Sequence, residues 1–296
     1  MDTKKTQDIV KSNALVHAHF NPKDLNQVRV MLAAVRQISS SHDLDYTKRY
    51  FVSAKDIQEV AGLKDLNYRD LKNGADSLFK ESILLTHEPN TQKELKKPLR
   101  ANIISSAQYE EGEGRIGFRF TPEITPYLSS LKKHFTKYET KNVMHFKSAY
   151  AVRLYEICLQ IQDADSTKKE YSIEDFREIF GLKKKYKAIK DLKLYVLDKA
   201  ISDINNFSDI KVDVSYRKLG RRIAFLTFKI IQKRPKKLKP LSHLEWMQKH
   251  IVPTGFVRGC SQDEAIEKTK KQYTNYIKEF GDGHLQKDFL NPENDS

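Results

Sequence analysis

The sequence predicts an α+β chain in which one unit, two helices followed by a strand hairpin, occurs twice in tandem and is followed by a basic tail. Three observations predict it. Residues 172–231 read as a short helix ending in Gly-Leu (172–182), a lysine-studded link (183–187), a long helix (187–206) and two strands (210–216 and 222–231) that turn at 218–221. The same order of elements occurs upstream. The positive charge is concentrated in the second copy: between Lys183 and Pro240 there are 18 Lys/Arg against 5 Asp, a local net of +13 out of +14 for the whole chain. Helix, turn, helix and basic hairpin is the layout of a winged-helix domain, so the fold class expected is two tandem winged helices.

The duplication shows in the residues. Ser53-Ala-Lys-Asp-Ile-Gln-Glu-Val-Ala-Gly-Leu63 aligns with Ser172-Ile-Glu-Asp-Phe-Arg-Glu-Ile-Phe-Gly-Leu182. Ser, Asp, Glu, Gly and Leu coincide. Each copy has a Ser N-cap, acid near the positive helix end, an apolar stripe and a Gly stop. Each is followed by a longer helix and then strands.

In chain order, residues 1–21 read as a flexible start with an apolar segment at 14–20. Pro22 opens a helix to about Ser39 with apolar positions at Leu25, Val28, Val30, Leu32, Val35 and Ile38. A polar loop covers 39–48. Helices follow at 54–61 and 67–81. In the second of these Tyr68, Leu71, Ala75 and Leu78 face inward and Arg69, Lys72 and Asn73 outward. Strands are expected at 83–87, 101–109 and 115–121, with 88–98 a mobile wing. A connecting helix is assigned to 122–135, a long helix to 148–162 and a loop to 163–169. Residues 233–240 (KRPKKLKP) are a linker whose prolines block regular structure. Tail helices are expected at 244–251 and 263–280, and disorder from 281 on. The domains are therefore set at 8–135, 136–232 and 233–296.

Composition narrows the function. At 296 residues and 39% hydrophobic the chain suits about two domains of ~150 residues. Two cysteines do not make a disulfide framework, which fits a cytoplasmic location. No signal peptide and no membrane span are visible. A strongly basic local field favours a polyanion, nucleic acid before an anionic membrane surface.

On the long helix of the second unit the stripe Ile189, Leu192, Val196, Ala200 and Ile204 faces inward. Lys187, Asp191, Leu194, Tyr195 and Asp198 face away, Lys190 is on the flank, and Lys193 falls nearer the stripe. The N-terminal end of that helix, with Lys183, Lys184 and Lys185 before it, is expected in a major groove. Arg217, Lys218, Arg221 and Arg222 at the hairpin tip suit a wing on phosphates or in the minor groove. The expected DNA-binding residues are these cations, Lys187, Lys190 and Lys193, with Arg69, Lys72 and Asn73 in the first unit.

Two enzymatic strings occur. Gly112-Glu-Gly-Arg-Ile-Gly117 matches G-x-G-x-x-G but lies between strands, so no helix N-terminus opens to hold a pyrophosphate. His17-Ala-His19 resembles the metal site of rolling-circle nickases, which also need an acidic partner and a marked tyrosine nucleophile. No Walker loop, zinc-spaced Cys pair or Gly-x-Ser-x-Gly elbow is present. No cofactor, metal or catalytic residue is expected.

The chain resembles the Rep family of iteron-binding plasmid replication initiators, the RepA/RepE/Pi type. The carrying segments are Phe135-Thr-Lys-Tyr138, Ser148-Ala-Tyr-Ala-Val-Arg-Leu-Tyr-Glu156, the helix from Tyr186 to Asn205 and the hairpin Gly220-Arg-Arg-Ile-Ala-Phe-Leu-Thr-Phe228. The resemblance covers about residues 8–232 and stops at the linker. It implies two winged helices on one repeated double-stranded origin site, each in one of two successive major grooves. It also implies monomers that open the origin, dimers joined through the first domain that repress their own promoter, and recruitment of a host initiator and helicase. The family is basic at the position of Lys193. At Leu194 and Tyr195, where some members are basic, this chain is not, which implies a different base preference. The competing readings are a winged-helix transcriptional repressor and, through His17 and His19, a rolling-circle nickase.

Overall fold

The two aligned serines begin the two equivalent helices. In the computed structural model, which describes residues 8–22, 24–38, 44–163, 167–233, 243–252 and 257–281, helix α3 (Ala54–Ala61) starts at Ser53 and helix α7 (Ile173–Ile179) at Ser172. The Ser53 hydroxyl accepts from the Asp56 N–H at 3.2 Å, and the Ser172 hydroxyl from the Asp175 N–H at 2.9 Å. The aligned glycines close the turns in the left-handed region, Gly62 at φ 60° and Gly181 at φ 62°.

The chain divides into two compact units, Met1–Lys233 and Arg234–Ser296. The first opens with β1 (Asp8–Ser12), α1 (Asn13–His17) and α2 (Leu25–Val35), followed by β2 (Tyr50–Ser53), α3 and α4 (Tyr68–Lys80). Strands β3 (Ser82–His87) and β4 (Glu94–Asn102) form a separate antiparallel pair, while β5 (Ile104–Glu110) and β6 (Arg115–Phe120) join β2 in the order β2-β6-β5. Helix α4 is capped by Asn67 in a reciprocal box with Asp70. It packs on α2 at Gly74, where a Cβ would lie 2.6 Å from the Asn26 carbonyl oxygen. Only glycine permits that approach.

The second half of the unit contains α5 (Thr125–Leu128), β7 (Phe135–Glu139), α6 (Ala149–Asp163), β8 (Lys168–Ser172), α7, α8 (Ile189–Leu192), α9 (Asp198–Phe207), β9 (Ile210–Leu219) and β10 (Arg222–Gln232). Its sheet runs β8-β10-β9. Asp203 of α9 accepts the Lys147 and Ser148 N–H groups at 2.8 Å each, capping the start of α6. One hydrophobic core runs through both halves. The second unit is a helical pair, α10 (His243–His250) and α11 (Gln262–Gly281), around Trp246, Met247, Ile251 and Ala265. His243 stacks on Tyr273 with ring centroids 4.2 Å apart.

Several expected elements are corrected. The start of the chain is not wholly irregular: β1 pairs antiparallel with β7, from Asp8↔Glu139 to Ser12↔Phe135. The connecting helix 122–135 shrinks to four residues, because Ser130 (φ 53°) and His134 (φ 54°) leave the helical region and the chain returns to meet β1. The supposed wing 88–98 holds most of β4, and the loop 163–169 ends in β8. The apolar segment 14–20 is helix α1 followed by a single bridge, His19↔Leu84. The linker from residue 234 to 242, and the tail from 282, lie outside the described residues.

Candidate nucleic-acid interface

The second reading helix is one continuous rod from Ile189 to Phe207 with a π turn at Lys193–Leu197 between α8 and α9. A π turn holds one residue more than an α turn and changes which side chains share a face. Val196 and Leu197 are therefore both buried, while Leu194 and Tyr195 stand out at 47% and 46% exposure. The simple wheel placed Lys193 near the core. Here it is half-buried, and its Nζ lies 4.4 Å from the centre of the Tyr216 ring on β9. Its aliphatic stem lies low on the helix and its charge faces the hairpin.

The approach to this helix is held by a residue the sequence reading missed. Arg177 of α7 donates from Nη1 to the Lys185 carbonyl (2.8 Å) and from Nη2 to those of Tyr186 (2.5 Å) and Lys187 (3.1 Å). Tyr186 takes φ 48° and stacks on Tyr195 at 5.8 Å. The strained, clamped backbone presents Lys184, Lys185, Lys187 and Lys190, all exposed and without a carboxylate partner among the described residues. Lys183 is paired with Glu178 at 2.6 Å. The available signal for Arg177 was an arginine one turn before the Gly stop, next to a run of carbonyls with no helix to absorb them.

The hairpin turns at Gly220 (φ 61°), with Leu219 70% exposed at its tip. Lys218, Arg221 and Arg222 surround the tip, exposed and unpaired among the described residues. Arg217 does not belong with them. It lies within β9, its guanidinium 3.7 Å from the Phe225 ring centre and doubly bonded to Glu170 of β8 at 3.0 and 2.6 Å. The Arg217 hydrogen bonds hold the Glu170 carboxyl below its ordinary range. Arg217 is a strut between strands.

In the first domain Arg69, Lys72 and Asn73 line the exposed face of α4. The Lys72 ammonium lies 5.3 Å from the centre of the Tyr109 ring, whose hydroxyl donates to Asp76. Burial and then the Asp76 hydrogen bond push Tyr109 up to about 12. The tip between β5 and β6 carries Glu110, Glu111 and Glu113, with Arg115 bonded to Glu110 (2.7 Å) and Glu113 (2.6 Å). This tip is the G-x-G-x-x-G string. It is an acidic turn running into strand and is unsuited to any phosphate. The cations near this domain's other hairpin are Lys93, Lys96, Lys97 and Arg100, along β4 and its approach.

His17 and His19 do not form a strand pair. His17 ends helix α1, mostly buried and 6.4 Å ring to ring from His87, and desolvation followed by the Lys169 charge pushes it down to about 4. The His19 N–H is bonded to the Leu84 carbonyl. Among the described residues no group of three His, Cys, Asp or Glu side chains could hold a metal ion. No helix among them is long and apolar enough to cross a membrane.

Comparison with known proteins decides the family. A profile described as "Initiator Replication protein, WH1" matches residues 8–159, and one described as "Initiator Rep protein, WH2" matches 172–230. The chain belongs to the initiator Rep protein family. Among the relatives of this initiator, the Escherichia coli "PI protein" is 28% identical over 259 residues, covering 78% of this chain and 85% of that protein. An Escherichia coli "Replication initiation protein" is 35% identical over 114 residues, 38% of this chain and about a third (35%) of the relative. The crystal structure of Pi initiator protein in complex with iteron DNA matches with TM-score 0.62 and 25% identity, over 79% of this chain and all (100%) of that one. The two winged helices expected from the sequence are thus found, and the protein is a plasmid-type replication initiator by family.

Proposed function

We propose that this initiator binds double-stranded repeats at its replication origin sequence-specifically and helps to open that origin. The observation that carries the reading is a row of cations with no carboxylate partner among the described residues: Lys184, Lys185, Lys187 and Lys190 before and along the second reading helix, Lys218, Arg221 and Arg222 on the hairpin. The similarity to a protein crystallised with iteron DNA supports the same ligand. The first group reads or positions the major groove, and the second grips phosphate or minor groove. Lys183 takes part once it releases Glu178, and Lys193 reaches the duplex past Tyr216. Between the cations, Leu194 and Tyr195 offer apolar contact to thymine methyl groups. Arg69, Lys72 and Asn73 of α4 read the other half of the repeat.

In this reading residues 8–135 and 136–232 are the two readers, and 233–296 is an appended part with a function of its own. Dimers form through the first domain, where β4 and β5 each end a sheet with an edge that no described strand pairs. Such dimers repress the promoter, and monomers on the repeats engage a host initiator and helicase in the cytoplasm. No enzymatic step is assigned. The test is replication: a plasmid whose only origin is the repeat-bearing DNA beside this gene should replicate when the chain is supplied, and stop when Lys187 and Lys190 are both changed to Ala. Repression of the promoter without replication would favour a plain repressor instead. Metal-dependent nicking of the supercoiled plasmid would favour a nickase.

A further inference from the structure

Between the two reading helices runs a short chain of contacts, and its centre is a buried arginine. Arg153, on α6, is 6% exposed. Its Nη2 donates to three carbonyl oxygens: Val16 (3.2 Å) and Ala18 (2.7 Å) at the end of α1, and Ile179 (3.1 Å) at the end of α7. The guanidinium lies 5.6 Å from the Phe20 ring centre and 5.8 Å from that of Phe180. The Phe20 N–H is itself bonded to the Ile179 carbonyl at 3.3 Å. A Cβ on Gly181 would lie 2.6 Å from that of Asn21, so the two backbones are in close contact.

Each end of this seam leads directly to a reader. On one side residues 18–21, just past the end of α1, are tied to β3 by His19 and Leu84 and lead into α2. Helix α2 holds α4 through Asn26 Nδ2 to Asp70 (3.2 Å), Gln27 Nε2 to the Ser77 carbonyl (2.9 Å) and the Ser77 hydroxyl to Asp24 (3.0 Å). On the other side Arg177, two residues before Ile179, holds the carbonyls of residues 185–187. Tyr150 touches both sides: its hydroxyl donates to Asn21 Oδ1 at 3.2 Å, and its ring lies 6.3 Å, centre to centre, from that of Phe180.

We propose that Arg153 is a positioning residue that fixes the distance and phase between the two reading helices, so that the chain accepts only repeats with one spacing between their halves. This rests on the reading that α4 and the α8–α9 rod grip one duplex. A structural role alone does not call for an arginine here. Among the described residues no carboxylate is bonded to it and its Nε has no hydrogen-bond partner, and Glu156, one turn along α6, is taken by Lys11 and Tyr138. A buried charge held by carbonyls and ring faces, with no bonded carboxylate among the described residues, is a poor choice for stability, and an apolar residue of equal volume often serves better. What the guanidinium adds is a single point where three carbonyls from both sides meet. One inserted base pair moves a half-site by about 3.4 Å and turns it by about 35°. A seam of backbone contacts around one nitrogen cannot follow such a shift.

The test uses the full chain and duplexes selected from a random 40-base-pair pool with the wild type. From the selected site, variants are made with one base pair added or removed at the junction of its halves, plus a duplex holding only the half protected by the second domain. Wild type should lose at least about tenfold in affinity on the shifted duplexes, the scale of one or more lost base contacts. Arg153→Met should bind the matched duplex less tightly, reduce the spacing penalty to about threefold or less, and leave half-site affinity unchanged within about twofold. Arg153→Lys, which keeps a donor among the carbonyls, should restore part of the penalty. Arg153→Met that melts cooperatively and keeps the wild-type penalty overturns the proposal. If Arg153→Met does not fold, Tyr150→Phe decides it by the same criterion: a penalty reduced at least about threefold supports, an unchanged one overturns. A wild type that selects a site of a single helical turn, or ignores spacing, overturns the two-reader reading itself, and the proposal with it.

Discussion

Changing Arg221 and Arg222 together to Ala removes two unpaired cations from the hairpin tip without touching a buried side chain or a described hydrogen bond. Fold stability should be unaltered, because exposed groups of this kind contribute within about 0.5 kcal/mol. DNA affinity should change through counterion release. Each phosphate contact contributes about 0.9 to the slope of log affinity against log salt, so losing both should lower the slope by about 1.8. Between 50 and 200 mM salt that amounts to about a twelvefold difference in how far affinity falls. The control is the double exchange Arg217→Gln with Glu170→Gln, which removes a cation from the same strand together with its partner. Because Arg217 is bonded to Glu170 and stacked on Phe225, it makes no phosphate contact, and the slope should stay within about 0.3 of wild type. The assay is fluorescence anisotropy on origin DNA at five salt concentrations. An unchanged slope for the Arg221/Arg222 variant, or an equal loss for the Arg217/Glu170 variant, would refute the reasoning.

Three further outcomes follow from the geometry. Arg177→Ala frees three carbonyls at residues 185–187 and should cost about 2 kcal/mol in thermal unfolding. It should also weaken DNA binding more than Lys184→Ala, as measured by gel shift. Gly74→Ala pushes α4 off α2 against the Asn26 carbonyl and should cost about 1–3 kcal/mol, read from the shift in urea midpoint. His17 is held neutral by burial, its folded value of about 4 lying below the ordinary 6.5, so the fold resists its protonation. The stability it contributes is full above pH ~6.5 and lost as pH falls towards ~4, about 2 kcal/mol after allowing for its partial exposure. Urea titrations at pH 7 and pH 4.5 should show that loss in wild type and a smaller one in His17→Gln. Equal losses would remove His17 as its source.

Much of the fold was legible because local chemistry and tertiary packing agree. Ser53 and Ser172 cap their helices, Gly62 and Gly181 take the left-handed turn, and Arg69, Lys72 and Asn73 lie outward as the helical period requires. The misses have physical causes. β1 and β7 pair across more than 120 residues, and β1 carries Lys11, buried against Glu156, which breaks the alternation that would mark a strand. β4 is exposed on both faces over most of its length and reads as polar loop. The π turn at 193–197 breaks the 3.6 period on which the wheel depends, so Leu197 was left out of the stripe. Arg217 is next in sequence to Lys218, the first of the tip cations, and only the strand pairing reveals Glu170 beside it. Arg153 and Glu156 did leave a signal, two opposite charges inside the otherwise apolar run 149–159 of the helix.

The most direct test of the central claim is a hydroxyl-radical footprint of the full chain on a single origin repeat. Two readers on one duplex should protect two patches about one helical turn, 10–10.5 base pairs, apart on the same face. Lys187→Ala with Lys190→Ala should erase one patch, and Arg69→Ala with Lys72→Ala the other. A single patch of one turn, lost entirely with the Lys187 and Lys190 changes and untouched by the α4 changes, would contradict the account.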